Sequence, residues 1–153
     1  MTDIFSKEKR SEIMSHIKSV GLKPEQKLYA IVRNAIGYRW RIEFNNSNIK
    51  GKPDIVIPSL FLIIFADGCF FHGCPLHGHL PKSNRQYWKA KLEMNRKRDK
   101  NNNKYLRRQG YGVWRIWEHE LKGRRAEETA KRLKRRLSCR IGTIKEAGSR
   151  EKG

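Results

Sequence analysis

The stretch PDIVIPSLFLIIFAD, residues 53–67, decides the fold of this chain. It contains two short, strongly apolar runs, at residues 54–57 and 60–65, separated by Pro58 and Ser59. Short runs that are rich in branched apolar residues and bounded by turn residues are typical of buried strands. The stretch therefore predicts a central β-hairpin, or two tightly linked strands, at the core of a sheet.

The segments before this stretch predict two helices and a strand. Residues 6–18 combine apolar residues at helical spacing with many cations, which indicates a short basic helix. Pro24 fits the first turn of a second helix, whose apolar residues recur at helical spacing until Gly37. Residues 38–44 then alternate aromatic or aliphatic side chains with charged ones, as a half-buried strand does.

The segments after the stretch predict a loop, two helices and one more strand. Residues 66–82 have no period and concentrate Gly, Pro, His and Cys, so we expect an irregular loop. Residues 83–109 predict a long polar helix, residues 111–117 a strand, and residues 124–137 a final basic helix. This order predicts a mixed α/β fold with helices on both faces of a small sheet.

The charge of the chain points to a polyanionic partner. Its 153 residues suit one compact domain, and 35 Lys and Arg against 15 Asp and Glu leave a formal net charge of +20. Nucleic acid is the favoured partner, because neutralising phosphates releases counterions and supplies much of the binding free energy. An anionic membrane surface is the weaker alternative.

The chain has neither of the sequence signals for export or membrane insertion. No apolar run approaches the roughly 20 residues that span a bilayer, and the N-terminus shows no apolar secretory segment. We therefore expect an intracellular protein. Its three cysteines are an odd number, and in a reducing compartment they favour metal binding or plain burial over disulfides.

Two acidic residues bracket the apolar stretch. Asp54 opens one run and Asp67 closes the next, so paired strands would place both carboxylates at one end of the sheet. Such oxygen ligands suit Mg²⁺, and Glu25 on an early helix could add a third carboxylate. The alternative is that these residues serve only turns and the helix dipole. The positive background favours a metal, because clustered carboxylates otherwise oppose phosphate binding.

The irregular loop carries a possible zinc site. Cys69, Cys74 and His77 supply three of the four N or S ligands that a structural Zn²⁺ needs. We favour His119 as the fourth, because it follows an apolar strand and would tie the loop to the sheet. The candidates considered for the fourth ligand are His119, Cys139, His72 and His79. Buried free thiols with solvated histidines remain the alternative.

His72 has two interpretations. An imidazole can accept a proton from water at neutral pH, as phosphodiester hydrolysis requires. The same residue stands between the cysteines and can equally be a zinc ligand. The pattern alone leaves both open.

Aromatic residues lie beside these motifs. Phe70 and Phe71 are adjacent in the loop, and a stripe at helical spacing follows on the long helix. Such rings can enter DNA between base steps, and the polar members of the stripe can contact DNA. The alternative is a core role for the rings and plain solvation for the helix. The stripe consists of Trp88, Lys91, Asn95 and Asp99.

Taken together, these motifs resemble those of the very short patch repair (Vsr-type) DNA mismatch endonucleases. The resemblance covers about residues 5–138 and is most specific in the loop. The motifs that carry it are Pro53-Asp54, DGCFFHGCPLH at residues 67–77, Pro81-Lys82, Tyr87-Trp88, Asn95, Arg98-Asp99 and IWEHEL at residues 116–121.

The resemblance implies a restriction-endonuclease-like α/β core of the PD-(D/E)xK type, with a mixed sheet flanked by helices and a loop stapled by zinc. It implies Mg²⁺-dependent nicking of one strand 5′ to the T of a T:G mismatch, which arises by deamination of 5-methylcytosine. We expect one nuclease domain over residues 1–139, including the basic N-terminal helix, and a disordered basic tail over residues 140–153.

The resemblance also implies roles for individual residues. Asp54 would bind Mg²⁺ together with the backbone carbonyl of Ala66, and Glu25 would be the acid on the early helix. His72 would be the general base, and Asp99 would be a helix carboxylate that supports the site. The aromatic wedge that enters DNA beside the mismatch would consist of Phe70, Phe71 and Trp88.

The chain departs from the best-known member of that family at several positions. That member has Thr at the position of Ala66 and His at the position of Asp67. In this chain, Asp67 is interpreted as a second acid of the nuclease motif. The loop is one residue shorter and lacks consecutive histidines, which makes His77 the nearest substitute for the third zinc ligand. His119 replaces a Cys, an exchange that Zn²⁺ accepts. His72 is expected to replace the lysine of a D-x-K pattern.

Three function classes follow. The first is a mismatch-nicking endonuclease acting as a monomer on duplex DNA with a T:G pair, in the bacterial cytoplasm at the nucleoid, with mismatch-repair proteins as a partner class. The second is a related nickase with another target. The third is a non-catalytic zinc-containing nucleic-acid-binding protein, which would leave the acids unexplained.

Overall fold

The structure is a computed structural model that describes residues 23–151. The basic helix expected over residues 6–18 lies outside the described residues. The helices and strands in chain order are α1 Pro24–Ile36, β1 Glu43–Phe44, β2 Ile55–Ile57, β3 Leu62–Asp67, α2 Arg85–Arg108, β4 Gly112–Trp117 and α3 Gly123–Glu151.

The four strands form one mixed sheet in the order β1-β2-β3-β4. The first three strands pair antiparallel, and β4 pairs parallel to β3 with Phe65 opposite Arg115. A short 3-10 turn at Pro58–Leu60 joins β2 to β3. The predicted central hairpin and the predicted mixed α/β class are therefore confirmed.

Both faces of the sheet are covered by helices. On one face, Leu62 and Ile64 of β3 pack in a cluster with residues of α1 and α3. On the other face, Ile63 and Phe65 pack with Leu106 of α2. Because successive strand residues point to opposite faces, an uninterrupted apolar run is what a strand buried on both sides requires.

The strand predicted over residues 38–44 is shorter than expected, since only Glu43 and Phe44 pair with β2. Arg33 of α1 gives the physical reason. Its Nη1 donates to the carbonyl oxygens of Gly37 at 3.1 Å and Trp40 at 2.8 Å. A buried guanidinium thus binds carbonyls in this segment, and the alternating pattern reflects partial burial without a strand ladder.

The prediction of a disordered tail from residue 140 was wrong for residues 140–151, because α3 continues to Glu151. Ile141 and Ile144 pack against the cluster under α3. Arg140 donates from Nε to the carbonyl oxygen of Leu60 and from Nη2 to that of Phe61, both at 2.9 Å. These contacts extend the helix well past the predicted end at residue 137.

Two of the described helices are long. Helix α2 has 24 residues and α3 has 29. Both are rich in charged residues along their length. Within residues 23–151, no helix combines the length and apolar character needed to cross a bilayer.

Candidate active site and metal centre

A cleft of about 560 Å³ lies at the end of β3, between the sheet and α2. The antiparallel pairing of β2 with β3 brings the residue before β2 next to the last residues of β3. The cleft therefore collects predicted site residues that are distant in sequence. Those that line it are Asp54, Ala66, Asp67, His72 and Asp99, together with Lys52, Arg98, Asn102 and Arg115.

Asp54 is held at the edge of the sheet by the backbone. Its Oδ2 accepts a hydrogen bond from the Ala66 N–H at 2.7 Å. Burial raises the pKa of Asp54, and the negative charges of Glu25 and Asp67 raise it further against the opposing effect of the Ala66 N–H. The buried Asp54 carboxyl thus has two acidic neighbours, and a bound cation would favour its ionised form.

Asp67 is almost completely buried, with 3% of its surface exposed. Arg115 Nη1 donates to both of its oxygens, to Oδ1 at 2.8 Å and to Oδ2 at 3.1 Å. Burial raises the pKa of the Asp67 carboxyl, although the Arg115 charge opposes the rise. Asp67 is thus a carboxylate already engaged by a cation of the chain.

His72 pairs with Asp99 of α2. The distance from His72 Nδ1 to Asp99 Oδ2 is 2.5 Å, and the distance to Asp67 Oδ1 is 3.8 Å. An ionised carboxylate can only accept, so Nδ1 is the donor in this hydrogen bond, and Nε2 is the nitrogen that the bond leaves free. His72 therefore lies in the cleft and is not part of the group of Cys69, Cys74, His77 and His119.

Cys69, Cys74, His77 and His119 form a separate group. One ligand atom from each lies within 4.8 Å of the others. His119 Nδ1 is 3.3 Å from the Cys69 sulfur and 3.5 Å from the Cys74 sulfur. Two ligands on one tetrahedral zinc are about 3.6 Å apart, given ordinary Zn–S and Zn–N bond lengths. The donor set and its spacing therefore fit Zn²⁺.

The loop backbone supports this group. The Cys74 N–H donates to the Cys69 carbonyl oxygen and the Gly78 N–H to that of Cys74, both at 2.8 Å. Burial raises the pKa of the Cys69 thiol, and the neighbouring Cys74 raises it further. Burial lowers the pKa of His119, aided by His77. A metal would reverse the first effect, since it binds the thiolate.

The other candidates for the fourth metal ligand lie elsewhere. Cys139 is exposed on α3, and His72 faces Asp99 in the cleft. His79 is not part of the group that gathers around His119. Because His119 follows β4 directly, it brings the loop to the end of the sheet, as the strand pattern suggested.

The predicted wedge residues form an aromatic cluster beside the cleft. Phe70 lies at a centroid distance of 5.1 Å from Phe71 and 5.2 Å from Trp88. Tyr87 extends the cluster, 5.2 Å from Trp88. Phe71 is 54% exposed, so it is no core residue. Asn95 Nδ2 donates to the Phe71 carbonyl oxygen at 3.0 Å and fixes this part of the loop.

The sequence patterns missed some cleft residues. Arg115 was assigned only to an apolar strand, although a charged residue between Trp114 and Ile116 is a signal of a special partner. Asn102 is buried on the same helix face as Leu106, with 7% of its surface exposed. A buried polar residue within an apolar stripe is the signal that could have found it. Lys91, which the sequence assigned to a stripe that contacts DNA, is exposed on α2.

Comparison with known proteins places this geometry in context. Residues 2–77 match the sequence profile described as DNA mismatch endonuclease Vsr. The type II nicking enzyme V.XorIIP of Xanthomonas oryzae is 40% identical over 123 residues, covering 79% of this chain and 88% of that protein. The type II nicking enzyme V.NaeI of Lentzea aerocolonigenes is 42% identical over 117 residues, covering 72% of this chain and 68% of that protein.

A third relative carries the name of the family. The DNA mismatch endonuclease Vsr of Escherichia coli is 29% identical over 129 residues, covering 81% of this chain and 78% of that protein. The fold, the cleft and these relatives define an endodeoxyribonuclease. The chain belongs to the Vsr family of DNA mismatch endonucleases.

Proposed function

We propose that this enzyme nicks one strand of duplex DNA 5′ to the T of a T:G mismatch and depends on Mg²⁺. The hydrogen bond between His72 and Asp99, in the same cleft as Asp54, carries the proposal. The pair supplies a base for water next to a carboxylate suited to a hard cation. The name of the Escherichia coli relative supports mismatched DNA as the substrate.

His72 acts as the general base in this proposal. Asp99 accepts from Nδ1–H, which fixes the ring and leaves Nε2 free to take a proton from the attacking water. The backbone N–H of His72 donates to the Gly68 carbonyl oxygen at 3.1 Å, which further limits the motion of the residue. A residue held at its backbone and at ring Nδ1 is pre-positioned for proton transfer.

Asp54 and the backbone carbonyl of Ala66 would hold the Mg²⁺. Asp54 is buried and lies near the negative charges of Glu25 and Asp67, and this is the feature that fits a cation there. A bound Mg²⁺ supplies polarisation of the scissile phosphate and stabilises the developing charge. Glu25 favours retention of the cation through its charge.

The aromatic cluster would recognise the mismatch. A wobble pair stacks less well than a Watson–Crick pair, so opening the adjacent step costs less free energy there. Phe71 is exposed, and Phe70 and Trp88 support it from the loop and from α2. Lys91 and Asn95 lie further along α2 and would contact the DNA backbone.

Zn²⁺ would hold the loop that carries these rings. Phe70, Phe71 and His72 lie between the ligands Cys69 and Cys74. A metal that ties both cysteines to His119 would therefore fix the wedge and the base together. We propose a structural role for it, because all four ligand positions belong to the chain.

A nicking assay on hairpin duplexes tests the proposal. A duplex with one T:G pair should be nicked 5′ to the T with Mg²⁺ present, whereas the matched T:A and C:G duplexes should stay intact. Cleavage of fully paired duplexes at a defined sequence would favour a related nickase with another target, as the names of several relatives suggest. Binding without nicking of any duplex would contradict both.

A further inference from the structure

Arg115 links the two carboxylates that flank His72. Its Nη1 donates to both oxygens of Asp67, and its Nη2 lies 3.8 Å from Asp99 Oδ1. We infer that Arg115 is a positioning residue for strand nicking, because its guanidinium holds Asp67 and Asp99 so that only Asp99 accepts from the His72 ring. This inference rests on the proposed role of His72 as the general base.

The fold holds the guanidinium from three directions. In the parallel pairing of β3 and β4, Arg115 lies opposite Phe65, and its guanidinium carbon is 4.0 Å from the centroid of that ring. Nε donates to Asn103 Oδ1 of α2 at 2.8 Å. The side chain is only 18% exposed. A planar group with stacking on one face and directed hydrogen bonds has little freedom to move.

The guanidinium decides which carboxylate His72 uses. Asp99 Oδ2 and Asp67 Oδ1 both lie near His72 Nδ1, at 2.5 Å and 3.8 Å. A ring nitrogen with one hydrogen can donate well to only one of them. Arg115 Nη1 binds both oxygens of Asp67 and holds Oδ1 3.8 Å from His72 Nδ1, which is beyond hydrogen-bond distance. The positive charge of Arg115 also offsets the repulsion between the carboxylates of Asp67 and Asp99.

In this inference, Asp67 anchors Arg115, which differs from the role that the sequence suggested for it. The motif comparison interpreted it as a second acid of the nuclease site. With both oxygens bonded to Arg115 and almost no exposed surface, it serves instead as the anchor for the guanidinium. The pair of Asp67 and Arg115 is a strand-to-strand salt bridge that supports the base.

The first test separates rate from binding. Arg115→Met should lower the single-turnover nicking rate on the T:G hairpin about 10²-fold, the usual effect of a small misplacement of a catalytic group. The Kd for the same hairpin in buffer without Mg²⁺ should change less than about threefold, since Arg115 is not exposed for phosphate contacts. Arg132→Met is the matched control, because Arg132 also pairs with a carboxylate, Glu120, away from the cleft. It should keep the wild-type rate.

Arg115→Lys covers the case in which the Met variant does not fold. One ammonium nitrogen can replace Nη1 at Asp67, but it cannot also supply the bond to Asn103 and the positive group near Asp99, so we expect a folded protein with a rate about tenfold lower. A wild-type rate in the Lys variant would overturn the inference. Equal losses of rate and of DNA affinity in a folded Met variant would overturn it as well, because they would mark Arg115 as a DNA contact.

Two further measurements show whether Arg115 acts through His72. In a His72→Ala background, adding Arg115→Met should change the residual rate less than about threefold, because coupled residues are not additive. The ¹⁵N chemical shifts of the His72 ring should show one tautomer, protonated at Nδ1, in the parent protein and mixed tautomers in Arg115→Met or Arg115→Lys. An unchanged ring spectrum in the Arg115 variants would refute the inference, whatever the DNA substrate is. Failure of the proposed function has a different result, since the parent protein would then nick no duplex.

Discussion

His72 shows how a single residue obtains its role from neighbours that are distant in sequence. It lies on the irregular loop, its partner Asp99 lies on α2, and the cysteines on either side of it belong to another group. The side chain is 23% exposed, which leaves it accessible from the cleft. The residue scale is therefore where the proposed chemistry can be tested most directly.

We expect His72→Ala to lower the nicking rate by about 10²–10⁴, the usual contribution of a general base. The protein should stay folded and keep its metal, because His72 is not part of the Cys and His group. Single-turnover nicking of the T:G hairpin measures the rate. His79→Ala, on the same loop, is the control and should behave like the parent. Loss of zinc in His72→Ala would instead identify a metal ligand.

The ionised carboxylate of Asp54 lowers the stability of the folded protein, and its proposed role as a Mg²⁺ ligand explains why the residue is present. Its pKa is raised from 3.8 by burial first and by Glu25 and Asp67 next. A carboxyl with a raised pKa in the folded state contributes stability that is present at low pH and is lost as the pH rises through the folded pKa. Active sites commonly keep such destabilising charges for function.

Asp54→Asn should therefore raise Tm by about 2–4 °C at about pH 7.5 in buffer without Mg²⁺, while abolishing nicking. The gain should shrink at about pH 4.5, where the Asp54 carboxyl of the parent is more protonated. Thermal unfolding at both pH values measures it. Glu93→Gln, an exposed acid on α2, controls for the same change in net charge. An equal gain from both variants would attribute the effect to net charge alone.

At the scale of elements, we expect the loop between β3 and α2 to depend on the proposed metal site, and α3 to depend on its distal contacts. The loop has few regular hydrogen bonds, so we expect its shape to rely on Cys69, Cys74, His77 and His119. The last third of α3 relies on Arg140 and two isoleucines. Each dependence gives a prediction.

Freshly purified protein should contain about one zinc per chain, and strong chelator should abolish cooperative unfolding. Cys69→Ser should lose the metal, because it removes one of four ligands. Cys139→Ser, an exposed thiol on α3, should keep it. Elemental analysis and thermal unfolding provide the measurements. A protein free of zinc, or a half-empty site in Cys139→Ser, would contradict this ligand set.

Arg140→Met should lower the free energy of unfolding by about 1–3 kcal/mol, since it leaves the Leu60 carbonyl oxygen without its side-chain donor and the Phe61 carbonyl oxygen with only the Gly112 N–H. Urea unfolding measures the change. Arg135→Met removes the same charge from an exposed position on α3 and should have little effect. No difference between the two variants would mean that the end of α3 contributes nothing to stability.

At the scale of the whole molecule, the proposed function divides DNA binding between the positive charge and the aromatic cluster. A net charge of +20 supplies affinity for any duplex, because phosphate neutralisation does not depend on sequence. Discrimination needs a contact that senses the weak base pair. The exposed ring of Phe71, supported by Trp88 through Phe70, is placed to provide it.

Replacing Phe71 and Trp88 together with Ala should lower affinity for the T:G duplex far more than affinity for the paired duplex. The salt dependence of binding should stay the same, since Lys and Arg contacts remain. Titrations of both duplexes at several salt concentrations measure this. Phe61→Ala, another exposed phenylalanine, is the control. Equal losses of affinity for both duplexes would show that other residues discriminate the mismatch.

The sequence by itself determined the class of fold and most members of the site. The apolar runs on either side of Pro58 predicted a hairpin buried on both faces, because only such a strand has no polar side. The spacing of Cys69, Cys74 and His77 predicted a common metal. These features are local, so a pattern of neighbouring residues is enough to reveal them.

Only the tertiary structure decided which distant groups meet. The bond from His72 to Asp99 spans 27 positions, and the one from Arg115 to Asp67 spans 48. Strand register and the seat of α2 on the sheet create both contacts. The same holds for the helical end of α3, where Arg140 meets carbonyls 79 and 80 positions away. Such side-chain contacts depend on tertiary packing, so local sequence periodicity cannot predict them.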